Sequence, residues 1–213
     1  PLFSRNFQKK EEKAWELANN MIGISLVVLA VLSALIWIFA PQLVSLIAPG
    51  FVGAQKILTV KLARIMFVTP LLFAVSAVFS GILQHFDRFV AYALAPVLYN
   101  IGIIFGIVFL SKFFTEPICG VAWGVVLGAL MHLLIQIPSA INSGYRYKFV
   151  FNLKDPELKK VLKLIGPRMI SQASSQLNLI VITAIASLLA AGSVAVFNFA
   201  NNLDKRFGTL TVF

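Results

Sequence analysis

One cysteine, two histidines and eight acidic residues are all that 213 residues offer of the groups that build most metal and acid–base sites. Cys119 has no partner for an internal disulfide. His85 and His132 stand far apart, so neither metal-ligand spacing nor a zinc motif exists. An enzyme of acid–base or metal-assisted chemistry would need Asp, Glu or His in a cluster, and the sequence holds none. No catalytic residue, metal or cofactor is therefore expected. Charge is scarce as well: 12% of residues are Asp, Glu, Lys or Arg, where a soluble domain carries about one quarter.

What fills the chain is hydrocarbon, with 59% hydrophobic residues and a mean hydropathy of +0.90. A helix needs roughly 20 mostly apolar residues to cross a bilayer. Six runs meet or approach that length: Ala18 to Ala40, Gln55 to Gln84, Phe89 to Ser111, Pro117 to Ser143, Leu164 to Ala190, and one beginning near Ser193 and still apolar at Phe213. No ten-residue alternating pattern repeats, which argues against a β-barrel. The expected fold is all-α, a polytopic transmembrane helix bundle of about six spans. The opening Pro1-Leu2-Phe3-Ser4-Arg5 and the apolar end are the pattern expected of a fragment of a longer membrane protein, and no secretory-signal pattern opens the chain.

The net charge of +10 would suggest nucleic acid on a soluble protein, but here the basic residues sit in the connections. With a cytoplasmic N-terminus, the inner segments carry Arg5, Lys9, Lys10, Lys13, Arg88, Arg146, Lys148, Lys154, Lys159, Lys160 and Lys163, and the outer ones only Lys56 and Lys112. The positive-inside rule accounts for that asymmetry and removes nucleic acid as a partner.

Gly144 to Lys163 is the long polar connection and the expected boundary between two bundles. Asp155-Pro156-Glu157 reads as N-cap, N1 proline and first-turn acid of a helix over 151–165, with Leu158, Val161, Leu162 and Ile165 on one face and Lys159, Lys160 and Lys163 elsewhere. Either an amphipathic helix on the inner leaflet or a solvated basic linker fits. Gly166-Pro167 predicts a bend, and Pro70, Pro96 and Pro138 predict local distortions within spans. Gly120, Gly124 and Gly128 repeat every four residues, as do Gly102 and Gly106, which predicts close helix packing. His132 and Gln136 continue the first ridge, as interhelical hydrogen-bond partners or as substrate contacts.

Polar side chains inside spans usually face the bundle interior or a watery cavity. Arg168, Ser171, Gln172, Ser174, Ser175, Gln176 and Asn178 make a polar half-helix; Arg168 either lines a cavity or snorkels to the interface. Lys61 and Arg64, one turn apart, face the same choice. Ser76, Ser80 and Gln84 lie lower on that span, and Asn100 adds an amide to the next. Asn198, Asn201, Asn202, Asp204, Lys205 and Arg206 interrupt the last run. Cations converging in a cavity suit an anion, and guanidinium matches phosphate in a two-pronged geometry, so a pyrophosphate is the expected guest. The candidate binding residues are Lys61, Arg64, Asn100, Arg168, Gln172, Ser175, Asn201, Asn202, Lys205 and Arg206.

Several of these positions lie within short motifs: Ala48-Pro49-Gly50-Phe51, Gly81-Ile82-Leu83-Gln84 with Arg88-Phe89, Ala95-Pro96-Val97-Leu98-Tyr99-Asn100, Gly120-Val121-Ala122-Trp123-Gly124, Gln136-Ile137-Pro138, Gly166-Pro167 and Ala190-Ala191-Gly192-Ser193-Val194. Together, and in this order along essentially the whole chain, they resemble the MurJ (MviN) family of lipid II flippases. The resemblance implies the fold of the multidrug, oligosaccharidyl-lipid and polysaccharide exporter superfamily. Residues 1–150 would form spans three to six of the first lobe, 151–165 the cytoplasmic linker helix, and 166–213 the start of the second lobe. It also implies transport of lipid II, an undecaprenyl-pyrophosphate-linked peptidoglycan precursor, from the inner to the outer leaflet of the bacterial cytoplasmic membrane by alternating access. Membrane lipids and cell-wall synthesis proteins are the further partners expected, and Gln84 and Arg88 are candidates for a cytoplasmic loop or gate. The family often carries an arginine at the position aligned with Asn202; Lys205 or Arg206, one turn on, are the candidates for that charge, in a stretch that departs from the family pattern after Leu203.

Three other readings compete. A drug exporter would want intramembrane carboxylates, and no Asp or Glu lies deep in a complete span. An exporter of another polyprenyl-linked oligosaccharide would share the cationic cavity. A non-transporting scaffold for cell-wall synthesis is the third, and sequence alone does not separate it.

Overall fold

The computed structural model describes the backbone over residues 11–190 and 192–208 and side chains over 12–190 and 192–203. Among the described residues every regular element is helical: α1 (Glu11–Ile47), α2 (Gly53–Met66), α3 (Thr69–His85), α4 (Phe89–Val108), a 3-10 turn (Leu110–Phe113), α5 (Pro117–Leu134), α6 (Gln136–Asn142), α7 (Pro156–Ser187) and α8 (Ser193–Gly208). Five stretches, Glu12–Ile47, Gly53–His85, Phe89–Phe113, Pro117–Asn142 and Pro156–Ser187, are long and apolar enough to cross a membrane. They correspond to the first five apolar runs. The sixth run begins as α8.

Prolines set most of the interruptions. Pro70 has no N–H for the carbonyl of Met66, and the second run accordingly breaks into α2 and α3 at Phe67-Val68. The Thr69 hydroxyl donates to that Met66 carbonyl (2.7 Å), and Ser33 of α1 donates to the Phe67 carbonyl (3.2 Å), so the break is satisfied within the protein. Pro138 likewise ends α5 one turn earlier, at Leu134. Pro96 and Pro167 stay inside helices, and α7 runs unbroken through Gly166-Pro167, joining the linker segment to the fifth run as one 32-residue helix. Its start follows the expected chemistry: the Asp155 carboxylate accepts from the Glu157 N–H at 2.8 Å, with Pro156 as the first helical residue.

The chain forms two compact units. The first holds residues 1–38 and 61–165, and its core gathers Ala18, Ile22, Phe79, Ile82, Leu83, Ala91, Leu133, Ala140 and Tyr145. Trp15 stacks on Phe86 with ring centroids 5.8 Å apart. Here α4 and α5 pack through glycine: a Cβ on Gly102 would lie 2.3 Å from the Gly128 Cα, and one on Gly106 2.5 Å from the Gly124 Cα. Those ridges are packing surfaces, because the backbones themselves touch. Around this core large apolar side chains point outward, among them Val31, Trp37, Val90, Ile104 and Phe113. That is the inverse of a water-soluble domain and the surface a hydrocarbon solvent requires.

The second unit holds residues 39–60 and 166–213, with Ala40, Val44 and Val60 buried together. In it the Gly50 N–H donates to the Ser187 hydroxyl (3.1 Å), at a contact so close that a Cβ on Gly50 would lie 1.8 Å from the Ser187 carbonyl oxygen.

Candidate functional site

Of the cationic candidates, Arg64 has the best-defined surroundings, and they begin with a proline. Pro41 lies inside α1 and cannot donate to the carbonyl of Trp37 four residues earlier. Arg64 of α2 fills that vacancy: its Nε donates to the Trp37 carbonyl (3.1 Å), and its guanidinium lies 4.6 Å from the centre of the Trp37 ring. Arg64 therefore repairs a helix lesion and stacks on an aromatic face. Lys61, one turn earlier on α2, is exposed.

Asn100 is exposed on α4 and donates to the Pro96 carbonyl of its own helix (2.9 Å), so its amide bridges no neighbouring helix there. Gln84 and Arg88 are exposed where α3 passes into α4; the Arg88 N–H closes the turn on the Leu83 carbonyl (2.9 Å) and Asp87 takes φ 54°. In the second unit Arg168, Gln172 and Ser175 follow at four- and three-residue spacing on one exposed stripe of α7. Ser174 and Ser175 donate to the carbonyls of Ile170 and Ser171, four residues back. Asn201 is half-buried and Asn202 exposed on α8. The side chains of Lys205 and Arg206 lie outside the described residues. A cavity of about 480 Å³ in this unit is lined by Gly50, Gln55, Ser187, Ser193 and Asn198 among others, all uncharged.

His132 and Gln136, open between two roles in the sequence, are joined to the serines of α3. The Ser76 hydroxyl lies 2.7 Å from His132 Nδ1; Gln136 Nε2 donates to Ser76 (2.8 Å) and to the His132 carbonyl (3.2 Å), and Ser80 donates to Gln136 Oε1 (3.0 Å). Gln136 and Ser76 are buried and every hydrogen bond stays within the unit, so the group joins helices.

A second polar device was not singled out in the sequence. Asn19 and Asn20, both buried in α1, hold the connection that follows α6. Asn19 donates to the Arg146 carbonyl (3.1 Å) and accepts from the Tyr145 hydroxyl (2.8 Å) and the Lys148 N–H (3.2 Å). Asn20 exchanges two bonds with the Asn152 backbone (2.9 and 2.8 Å) and donates to the Asp155 carboxylate (3.2 Å). Gly23, one turn on, lets the strand of chain lie against the helix, since a Cβ there would meet the Val150 carbonyl oxygen at 2.2 Å. Burial, and then the neighbouring Tyr147, push the Tyr145 phenol up to about 12. The signal was present as two adjacent amides at the head of an apolar run, an expensive place for polar groups without partners. Among the described residues no group of three or more His, Cys, Asp or Glu could hold a metal ion.

A family sequence profile described as "Lipid II flippase MurJ" matches residues 1–205. The chain belongs to that family. A "Probable lipid II flippase MurJ" of Buchnera aphidicola subsp. Acyrthosiphon pisum is 32% identical over 197 residues, covering 92% of this chain and 39% of the relative. A "Lipid II flippase MurJ" of Burkholderia cenocepacia is 32% identical over 150 residues, 68% of this chain and 29% of the relative. A "Probable lipid II flippase MurJ" of Rickettsia prowazekii is 26% identical over 206 residues, 95% and 40% respectively. The chain thus spans about two fifths, or less, of the curated MurJ relatives it matches. Membership together with the five apolar helices makes it a multi-pass membrane protein.

Proposed function

We propose that the protein carrying this chain is a transporter that moves lipid II from the inner to the outer leaflet of the bacterial cytoplasmic membrane, breaking no covalent bond. The observation that carries this is the family match over residues 1–205. The chemistry of the spans agrees. A diphosphate headgroup crossing hydrocarbon needs fixed positive charge and few competing carboxylates. Of the acidic residues, Glu12 and Glu16 lie in the first two turns of α1, Glu157 in the first turn of α7, and Asp87, Glu116 and Asp155 in connections, while Asp204 lies within α8 beside Lys205 and Arg206. The cations offered along the spans are Lys61, Arg64, Arg168, Lys205 and Arg206.

In this reading residues 1–150 belong to the first lobe, 151–165 to the cytoplasmic linker and 166–213 to the second lobe. Arg168, Gln172 and Ser175, with Asn201 and Asn202, are the headgroup-contact candidates of the second lobe. Lys61, Asn100 and the terminal nitrogens of Arg64 are those of the first, and Gln84 and Arg88 are the candidates for a cytoplasmic gate. Rocking of the lobes re-exposes the headgroup outside while the polyprenyl tail stays in lipid.

The test is complementation. Cells depleted of their own flippase receive the full-length protein carrying this chain, and outer-leaflet lipid II is measured. Restored surface lipid II and growth are expected; no restoration, with the protein present in the membrane, overturns the assignment.

A further inference from the structure

On the first unit an apolar groove of about 280 Å³ runs between α1, α3 and the first turns of α7. Leu17 and Met21, Ala77 and Gly81, and Val161 and Ile165 supply its walls in pairs. Three features make it a built site. Asn20 ties the Asp155 cap of α7 to α1, so the third wall is held in place by hydrogen bonds independent of any occupant. Gly81 is exposed and faces open space, a Cβ there meeting no atom within 4 Å, so the groove is open along that wall where a side chain would otherwise stand. Its walls are almost wholly hydrocarbon, and in a bilayer such a recess is filled by chains of the same chemistry, since an empty one forfeits dispersion contacts on every side.

The charge at its end selects among lipids. Lys13 lies one turn before Leu17 on the same stripe of α1, and Lys160 one turn before Leu164, which also lines the groove. Lys159 and Lys163 share those turns of α7, and all four lysines are exposed. Glu157, ion-paired with Lys160, and Asp155, bonded to Asn20 and to the Glu157 N–H, are the carboxylates on that side of α7; Glu12 and Glu16 line a different pocket with Arg146 and Lys148. Lys13, Lys159, Lys160 and Lys163 outnumber Asp155 and Glu157 there, at the level the charge asymmetry assigns to the inner leaflet.

We propose that this groove binds one acyl chain of an anionic phospholipid of the inner leaflet, with its phosphate held between Lys13 and Lys160. The inference rests on the membrane location of the chain and is independent of the cargo. The lipid packs α7 against α1 and α3 where the linker enters the membrane.

The full-length protein carrying this chain is purified, supplied with dioleoyl phosphatidylglycerol or dioleoyl phosphatidylcholine, and weighed intact to count retained lipids. Preferential retention of phosphatidylglycerol is expected. Gly81→Leu, which sets a branched side chain on the open wall of the groove, removes one tightly held phosphatidylglycerol, whereas Gly81→Ala, whose Cβ meets no atom within 4 Å, keeps it. Lys13→Gln with Lys160→Gln leaves the groove open but lowers the preference for phosphatidylglycerol about tenfold. Equal retention of the two lipids, or unchanged retention in Gly81→Leu, overturns the proposal. So does loss of thermal stability in Gly81→Leu with lipid counts unaltered, the result if a protein helix fills the groove. Failed complementation leaves every one of these readings intact.

Discussion

At the scale of single residues, Arg64 and Pro41 form a test pair. A guanidinium stacked on a partly exposed indole contributes about 0.5–1 kcal/mol, and its hydrogen bond to a carbonyl orphaned by proline adds about 1.5 kcal/mol or more. Arg64→Gln therefore lowers thermal stability, and lowers it less in a Pro41→Ala background, where the backbone N–H regained at that position gives the Trp37 carbonyl its ordinary helical donor. Equal losses in the two backgrounds would dismiss the repair role. Tyr145 gives a second residue-scale outcome. Its folded pKa, about 12, stands above the ordinary value of 10.0, so its contribution to stability is complete below pH 10 and falls as pH rises from there toward 12. Ultraviolet titration of tyrosinate, wild type against Tyr145→Phe, should differ by a phenol that ionises at about 12; a difference centred at the ordinary value of 10.0 contradicts the buried bond of Tyr145 to Asn19.

At the scale of elements, the close contact of α4 with α5 depends on positions that hold no side chain. Gly124→Leu drives a branched side chain into the Gly106 backbone and should cost several kcal/mol, of the order of the largest overpacking penalties. The folded fraction recovered from membranes should fall steeply, while Gly81→Ala stays at the wild-type level. The tie between α1 and the linker is the other element-scale device. Asn20→Ala strips partners from the Asn152 backbone and from the Asp155 carboxylate, at about 1–3 kcal/mol for each buried group left unpaired. Faster hydrogen exchange at the Asn152 amide is the expected signature, and exchange at the wild-type rate would show that the tie bears no load. Much of this level was legible in the sequence, for physical reasons. Run length specified the spans, the four-residue glycine spacing specified the α4–α5 contact, and Asp155-Pro156-Glu157 specified the start of α7. The break at Phe67-Val68 needed knowledge of how Thr69 and Ser33 would satisfy it, and the continuity of α7 through Pro167 opposed the local signal. The Asn19–Asn20 tie depends on chain more than 120 residues away, which no local pattern encodes.

At the scale of the whole molecule, the family and the membrane setting were readable because many short motifs in order constrain each other, whereas the site was readable only as a set of residue types. Spacing identified Arg64 as a cation within a span but not the proline lesion it repairs, and left Arg168 between cavity and interface. The account stands on sheltered positive charge for a diphosphate lipid, and Arg168 is its cleanest probe because it lies on an exposed polar stripe of α7 with Gln172 and Ser175. The decisive measurement is equilibrium binding of fluorescent lipid II to the full-length protein in nanodiscs, wild type against Arg168→Gln. The account predicts affinity weaker by about tenfold or more in the variant, the loss expected when one charge-assisted phosphate contact is removed, and competition by inorganic pyrophosphate in the wild type. Equal affinity in the two proteins, with pyrophosphate without effect on either, would contradict it.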